Sequence, residues 1–300
     1  MTVARTFGII TTCKGRLEHL KASLPKMLAQ NCNEVIVVDF SCPQGTGAFV
    51  AANFPTVRVV PVEGQKHFSN WKARNAGAAA AKSDVLVFVD ADTSLADGAI
   101  DWIAAHVPPR TFGYVDSATS RTFNQGGPRL AANQLKGFQV IPARAFRRVG
   151  GYDEILEGYA AGADTDLEQR LAMIGLTRRP IDPRIVESVI QHDAASRTEH
   201  HAYPVKFSYA AGLLYRAAKR TLLRLNRRAE LPIGVRRNLY RAATQAASRL
   251  DPTRGRVTMN VKLGQEPILM PRQLGFERGQ QTLSLQLELS LEEPLSEPVA

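Results

Sequence analysis

Two uninterrupted apolar runs, each delivered to an aspartate, constrain this chain most. Val35, Ile36, Val37 and Val38 lead to Asp39, and Val85 to Val89 lead to Asp90. Runs this short, with no polar alternation, are the pattern of strands covered on both faces, as in a parallel sheet. Around them the pattern alternates. Residues 6–12, rich in Ile and Thr, read as a strand, and residues 57–62 as another. Residues 16–30 place Leu17, Leu20, Leu24, Met27 and Leu28 at helical spacing, and the alanine-rich residues 70–82 read as a second helix. Repeated strand–helix–strand units predict an α/β chain with a mostly parallel, doubly wound sheet.

Beyond residue 97 the signal is mixed: a helix at 98–106, a strand near 112–117, a Gly/Pro loop at 124–128, a strand at 137–141 and a helix at 143–149. A further helix at 164–174 carries Leu167, Leu171 and Ile174 on one face and stops at Gly175. Residues 203–250 read as two or three basic amphipathic helices broken near Pro232. Residues 256–263 and 282–291 then read as strands, with Leu283, Leu285, Leu287, Leu289 and Leu291 alternating with polar residues. The expected division is a catalytic domain at 1–200 and a basic helical extension with C-terminal strands at 201–300. The alternating strand is also a candidate for pairing across a homodimer.

Charge separates the same two regions. The chain carries a net charge of +10, but residues 201–256 alone hold thirteen Lys or Arg against Glu230 and Asp251, a local +11, so the remainder is close to neutral. A basic block implies an anionic partner, here an anionic membrane surface rather than nucleic acid. Cys13, Cys32 and Cys42 have no metal-ligand spacing and read as reduced thiols. With no leader pattern and no apolar run near the roughly 20 residues that span a bilayer, the expected location is cytoplasmic or peripheral on the cytoplasmic face.

Asp90 and Asp92 carry the chemistry. They stand just past the carboxyl end of a buried strand, where open α/β sheets bind ligands. Two carboxylates there suit a hard divalent cation, Mn2+ or Mg2+, and through it the oxygens of a diphosphate. An Asp-x-Asp triplet also occurs in ordinary turns, so the surrounding segments decide. Gly8 to Thr12 with Lys14 to Leu20, Val35 to Asp39 with Ser41, Gly45 and Thr46, Lys72 to Gly77, and Asp84 to Asp92 follow in order at fitting distances. Together they resemble glycosyltransferase family 2 on a GT-A fold, across residues 6–195. Residues 137–141, Phe146, residues 149–153 and residues 158–171 resemble the second half of galactosyltransferase-like domains.

The resemblance implies a nucleotide-sugar donor, UDP-linked, bound by Thr11, Arg16, Asp39, Lys72, Arg74 and Asp90. It implies a metal held by Asp90, Asp92 and His192, with His200 and His201 as weaker candidates. It implies Asp164 as the base that takes a proton from the acceptor hydroxyl of a glycan or lipid-linked acceptor, with Asp166 in reserve. The inferred outcome is inversion at the anomeric carbon, in synthesis of cell-surface polysaccharide or glycoconjugate. Two positions depart from the pattern: Phe40 replaces a second acid, and Ala163 replaces the glutamate before Asp164. They leave open a degenerate glycan-binding scaffold. A sugar-phosphate nucleotidyltransferase is the other alternative, disfavoured by the single glycine between Thr11 and Arg16. Asp164 could equally cap its helix, and Trp71 and Trp102 read as core residues.

Overall fold

The computed structural model describes residues 5–115, 135, 137–190, 199–249, 256–264 and 281–288. They form two compact units, Met1–Glu154 with Ala163–Ala202, and Ile155–Gly162 with Tyr203–Ala300.

The first unit is built on a sheet of seven described strands: β1 (Phe7–Cys13), β2 (Glu34–Asp39), β3 (Arg58–Pro61), β4 (Val85–Phe88), β6 (Thr111–Tyr114), β7 (Gln139–Pro142) and β8 (Thr177–Pro180), in the order β3-β2-β1-β4-β7-β6-β8. The pairs β1–β2, β1–β4, β2–β3 and β6–β8 are parallel, while β7 runs antiparallel to β4 and β6. The two apolar runs are central: Ile36, Val37 and Val38 on β2 and Leu86, Val87 and Phe88 on β4 have no exposed surface. Each such side chain contributes about 1.5–3 kcal/mol relative to exposure. Four helices lie between these strands, α1 (Leu17–Leu28), α2 (Thr46–Asn53), α3 (Asn70–Ala80) and α4 (Ala99–His106), followed by α5 (Ala143–Arg148) and α6 (Ala163–Met173). Helix α3 sits against β1 and β2 through Gly77, where a Cβ would come within 2.5 Å of Ile10 Cγ2 and 3.0 Å of Val38 Cγ2.

A short strand, β5 (Thr93–Leu95), pairs antiparallel with β9 (Val186–Val189) in a separate ribbon. The sequence pattern does not announce this ribbon, nor α2 and β8. Helix α2 has almost no amphipathic periodicity, and β8 is exposed throughout, so neither carries a readable period.

The second unit contains α7 (Val205–Asn226) and α8 (Ile233–Ala247), broken at Pro232 as expected, and the antiparallel pair β10 (Arg256–Gly264) and β11 (Gln281–Glu288). Buried Ala211, Leu214, Tyr215, Ala218 and Leu222 form the inner face of α7, and Val235, Leu239, Ala243 and Ala246 that of α8. Tyr215 and Tyr240 meet edge to face at 5.7 Å. Residues 155–162 lie along α7, close enough that a Cβ on Gly212 would be 2.2 Å from the Ala161 carbonyl oxygen. The alternating leucines of β11 pair with β10 within the chain, Leu283 opposite Val261 and Leu285 opposite Met259. No helix among the described residues is long and apolar enough to cross a membrane.

Candidate active site

Strand β4 ends at Phe88, and the chain passes through Val89 to Asp90, Ala91 and Asp92 before entering β5. Asp90 does not project freely. Its Oδ1 accepts from Arg74 Nη2 at 2.6 Å, and Arg74, only 1% exposed, also donates to the Gly137 carbonyl at 2.7 Å and to the Tyr152 hydroxyl at 3.1 Å. Its Oδ2 lies where a Cβ on residue 137 would be, 1.8 Å away, so only glycine fits there. Burial pushes the Asp90 carboxyl above its ordinary range; Arg74 opposes this, the charge of Asp92 adds to it, and a bond from Asn70 opposes it.

Arg74 stands in an aromatic box. Its guanidinium is 5.4 Å from the Phe88 ring and 5.7 Å from the Tyr152 ring. Tyr152 in turn packs against Trp71 at 5.4 Å, Phe88 at 5.3 Å and Phe146 at 5.5 Å. Trp71 is thus part of the packing that holds Arg74, while Trp102 stacks on His106. The Tyr152 hydroxyl donates to Gln139 Oε1, and Gln139 Nε2 donates to Glu168 Oε1 at 3.2 Å. Glu168 closes the chain of contacts on Arg178 at 2.9 Å. A polar network therefore joins Asp90 at the strand end to α6, which carries Asp164 one turn before Glu168. Burial lifts the Tyr152 hydroxyl and the Glu168 carboxyl, and the charge of Asp164 adds to both shifts.

Asp164 is half-buried in the first turn of α6, where the helix dipole favours a carboxylate. Asp166 is in a different situation. It is 3% exposed and paired with the fully buried Arg170 at 2.7 Å, while Arg170 also donates to the Val149 and Gly151 carbonyls. Through Arg170, Asp166 ties α6 to the turn at Gly150 and Gly151.

The expected nucleotide residues divide by what they touch. Thr11 is fully buried in β1, its hydroxyl without a partner among the described residues. Asp39 accepts from the Cys42 amide at 2.8 Å and from the Gly47 amide at 2.7 Å, folding the turn into α2; a carboxylate retains further acceptor capacity. Lys72 lies on the first turn of α3, whose N-cap Ser69 accepts from the Lys72 amide. Arg16 precedes α1, and the neighbouring turn is held by buried Lys14, which donates to the carbonyls of Phe40, Ser41 and Gln65. His200 covers that turn: a Cβ on Gly15 would be 2.1 Å from His200 Nε2. His201 lies against Phe68 at 5.9 Å, its pKa pushed down to about 4 by burial and by the positive groups of His200, Arg16 and His67. His192 lies outside the described residues. The chain is brought to Asp92 just before it, because the Ile190 amide donates to the Asp92 carbonyl at 2.8 Å.

Asn70, Gly137, Gln139 and Tyr152 join the site without having been expected there as functional residues. Gln139 carried a signal, being the polar member of an otherwise apolar strand.

The model of glycosyl transferase family 2 matches residues 8–136. No curated protein matches the chain. Among solved structures, a mannosyltransferase from Pyrobaculum calidifontis in complex with GDP-Man and Mn2+ superposes with a TM-score of 0.55 at 15% identity, over 83% of this chain and 77% of that one. TarS from S. aureus in complex with UDP-GlcNAc gives 0.55 at 14% identity, over 83% and 74%. GalNAc-T7 with UDP, GalNAc and Mn2+ gives 0.52 at 14%, over 74% of this chain and 51% of that one. At these identities the likeness is one of fold. The chain thus has the GT-A glycosyltransferase fold and carries the glycosyl transferase family 2 pattern over residues 8–136.

Proposed function

We propose that this protein is an inverting glycosyltransferase. It moves a sugar from a nucleoside-diphosphate donor, UDP-linked, to a hydroxyl of a glycan or lipid-linked acceptor, in synthesis of cell-surface polysaccharide or glycoconjugate. The chemistry belongs to residues 1–200, with residues 201–300 as an extension. The observation that carries the reading is convergence at Tyr152, whose hydroxyl is bonded to the arginine that holds Asp90 and is influenced by the charges of both Asp90 and Asp164. Two acids from distant parts of the sequence, one at a strand end and one at a helix start, thereby act on one side chain.

The donor set fits a hard cation: carboxylates from Asp90 and Asp92, one of them with its position fixed by Arg74 and Gly137. A divalent cation bound there would offset the charge that grows on the departing nucleoside diphosphate. Lys72 and Arg16 stand at the two turns that border the nucleotide side and add positive charge for phosphate oxygens. Asp164 accepts the proton of the acceptor hydroxyl as its oxygen attacks the anomeric carbon. One C–O bond forms, the bond to the diphosphate oxygen breaks, and attack from the opposite face inverts the centre.

A donor screen by thermal shift with Mn2+ tests this first. A donor present at a hundred times its Kd is expected to add about 2.7 kcal/mol to stability. Asp92→Asn should abolish the Mn2+-dependent part of that shift. Asp164→Asn should keep it and lower kcat by about 10²–10⁴. Release of pyrophosphate instead of a nucleoside diphosphate, or full transfer by the Asp90→Asn/Asp92→Asn protein, would overturn the proposal.

A further inference from the structure

The large apolar side chains that the described residues leave exposed, Tyr159, Tyr203, Val205, Tyr209, Leu225 and Ile233, all belong to the second unit. Two of them flank one turn. Leu225, 64% exposed, stands on the last turn of α7, and Ile233, 46% exposed, is the first residue of α8. The turn itself is closed by the chain. Arg227 takes a left-handed conformation at φ 49°, and the Arg228 amide donates to the Leu223 carbonyl at 3.2 Å, ending α7.

The charges at this turn are sorted by direction. Glu230 is the acid of residues 219–237, and it is engaged within the unit. One oxygen pairs with buried Lys219 at 2.8 Å and lies 3.8 Å from Arg236; the other accepts from the Leu231 amide. Outward, Arg220, Arg224, Arg227, Arg228 and Arg237 are exposed, and none makes an ion pair among the described residues. These five exposed guanidinium groups and the two bare aliphatic side chains lie within one stretch, 220–237, whose single acid is Glu230. Cations alone would suit any polyanion, but Leu225 and Ile233 would then be left in water without a role. An anionic bilayer satisfies both: phosphates meet the guanidinium groups, and the aliphatic tips enter the headgroup boundary.

We propose that the α7–α8 turn, residues 224–237, docks this protein onto an anionic lipid bilayer, with Arg224, Arg227, Arg228 and Arg237 on lipid phosphates and Leu225 and Ile233 as apolar tips. The proposal stands independently of the transfer chemistry. The proposed attachment is peripheral, and no described helix is long and apolar enough to cross a membrane.

The test is co-sedimentation of the full chain with vesicles of phosphatidylcholine alone and of phosphatidylcholine mixed with phosphatidylglycerol, at low and high salt. Binding is expected only to the mixed vesicles and to weaken with salt. Each basic residue near such a surface is worth about fivefold in partitioning, so Arg224→Glu/Arg227→Glu/Arg228→Glu should lose about a hundredfold or more. Leu225→Ser/Ile233→Ser, which keeps every charge, should lose binding severalfold. Arg144→Glu/Arg147→Glu/Arg148→Glu, an equal charge change at exposed arginines of the first unit, is the control and should retain most of it. Equal loss in the control, or binding unchanged by Leu225→Ser/Ile233→Ser, overturns the proposal. Tighter binding to duplex DNA than to the mixed vesicles overturns it too. Should the triple reversal at the turn fail to fold, the serine variant and the lipid comparison still decide.

Discussion

Tyr152 shows how single side chains hold the acidic strand end in place. Its hydroxyl accepts from Arg74 and donates to Gln139, so it fixes the guanidinium that pairs with Asp90. Tyr152→Phe keeps the ring inside its aromatic box but leaves Arg74 and Gln139 each short of a partner. A loss of about 1–3 kcal/mol is expected, read as a lower denaturation midpoint with an unchanged far-UV spectrum. His201 gives a pH dependence. Its pKa is about 4 in the folded chain and near 6.5 unfolded, so between those values the unfolded state binds more protons. The contribution is complete above pH 6.5 and disappears as pH falls through that window, a swing of up to about 3 kcal/mol. Melting temperatures from pH 4 to 7 should fall more steeply on the acid side for the native protein than for His201→Gln. The segments that carry Asp90, Arg74 and Asp164 are legible in the sequence because each has a recognisable pattern. Tyr152 and Asn70 are not, because their roles arise from partners 78 and 20 positions away, and local sequence does not reveal such pairings.

Helices and strands divide by pattern in the same way. Strands β2 and β4 are readable as uninterrupted apolar runs, and α1 and α3 by helical spacing or alanine content. Strands β5, β8 and β9 are no longer than β4 but lack its uninterrupted apolar run, and they exist through their pairings. Helix α2 is started by the Asp39 carboxylate accepting from Gly47, a cap supplied from the end of β2 rather than by the residue before the helix. Helix α6 depends on a buried pair. Arg170→Met would take the Arg170 guanidinium from the buried Asp166 carboxylate and strip the Val149 and Gly151 carbonyls of their donor. Breaking a pair of this kind costs about 3–5 kcal/mol. A melting temperature lower by about 10 °C is expected. If Arg170→Met melts with the native protein, α6 is held by its apolar face alone.

Across the molecule, two features occupy different stretches of sequence: a near-neutral region carries the two acids at the strand end, and a strongly basic region follows it. Composition alone reveals that division, whereas nothing local marks residues 155–162 as part of the second unit. The bond between Arg74 and Asp90 has a consequence for the protein at rest. One of the two carboxylates at the strand end already has a counterion that never diffuses away. Without the proposed cation, the two neighbouring anions are therefore not left to repel each other unopposed. Dialysis against a chelator is expected to abolish transfer while leaving the thermal midpoint within about 1 °C of its starting value, on the scale of a few tenths of a kcal/mol. A midpoint several degrees lower would mean that the permanent arginine cannot stand in for the mobile ion. On the proposed chemistry, the arginine would keep the strand end in shape between turnovers, ready to be recharged from solution.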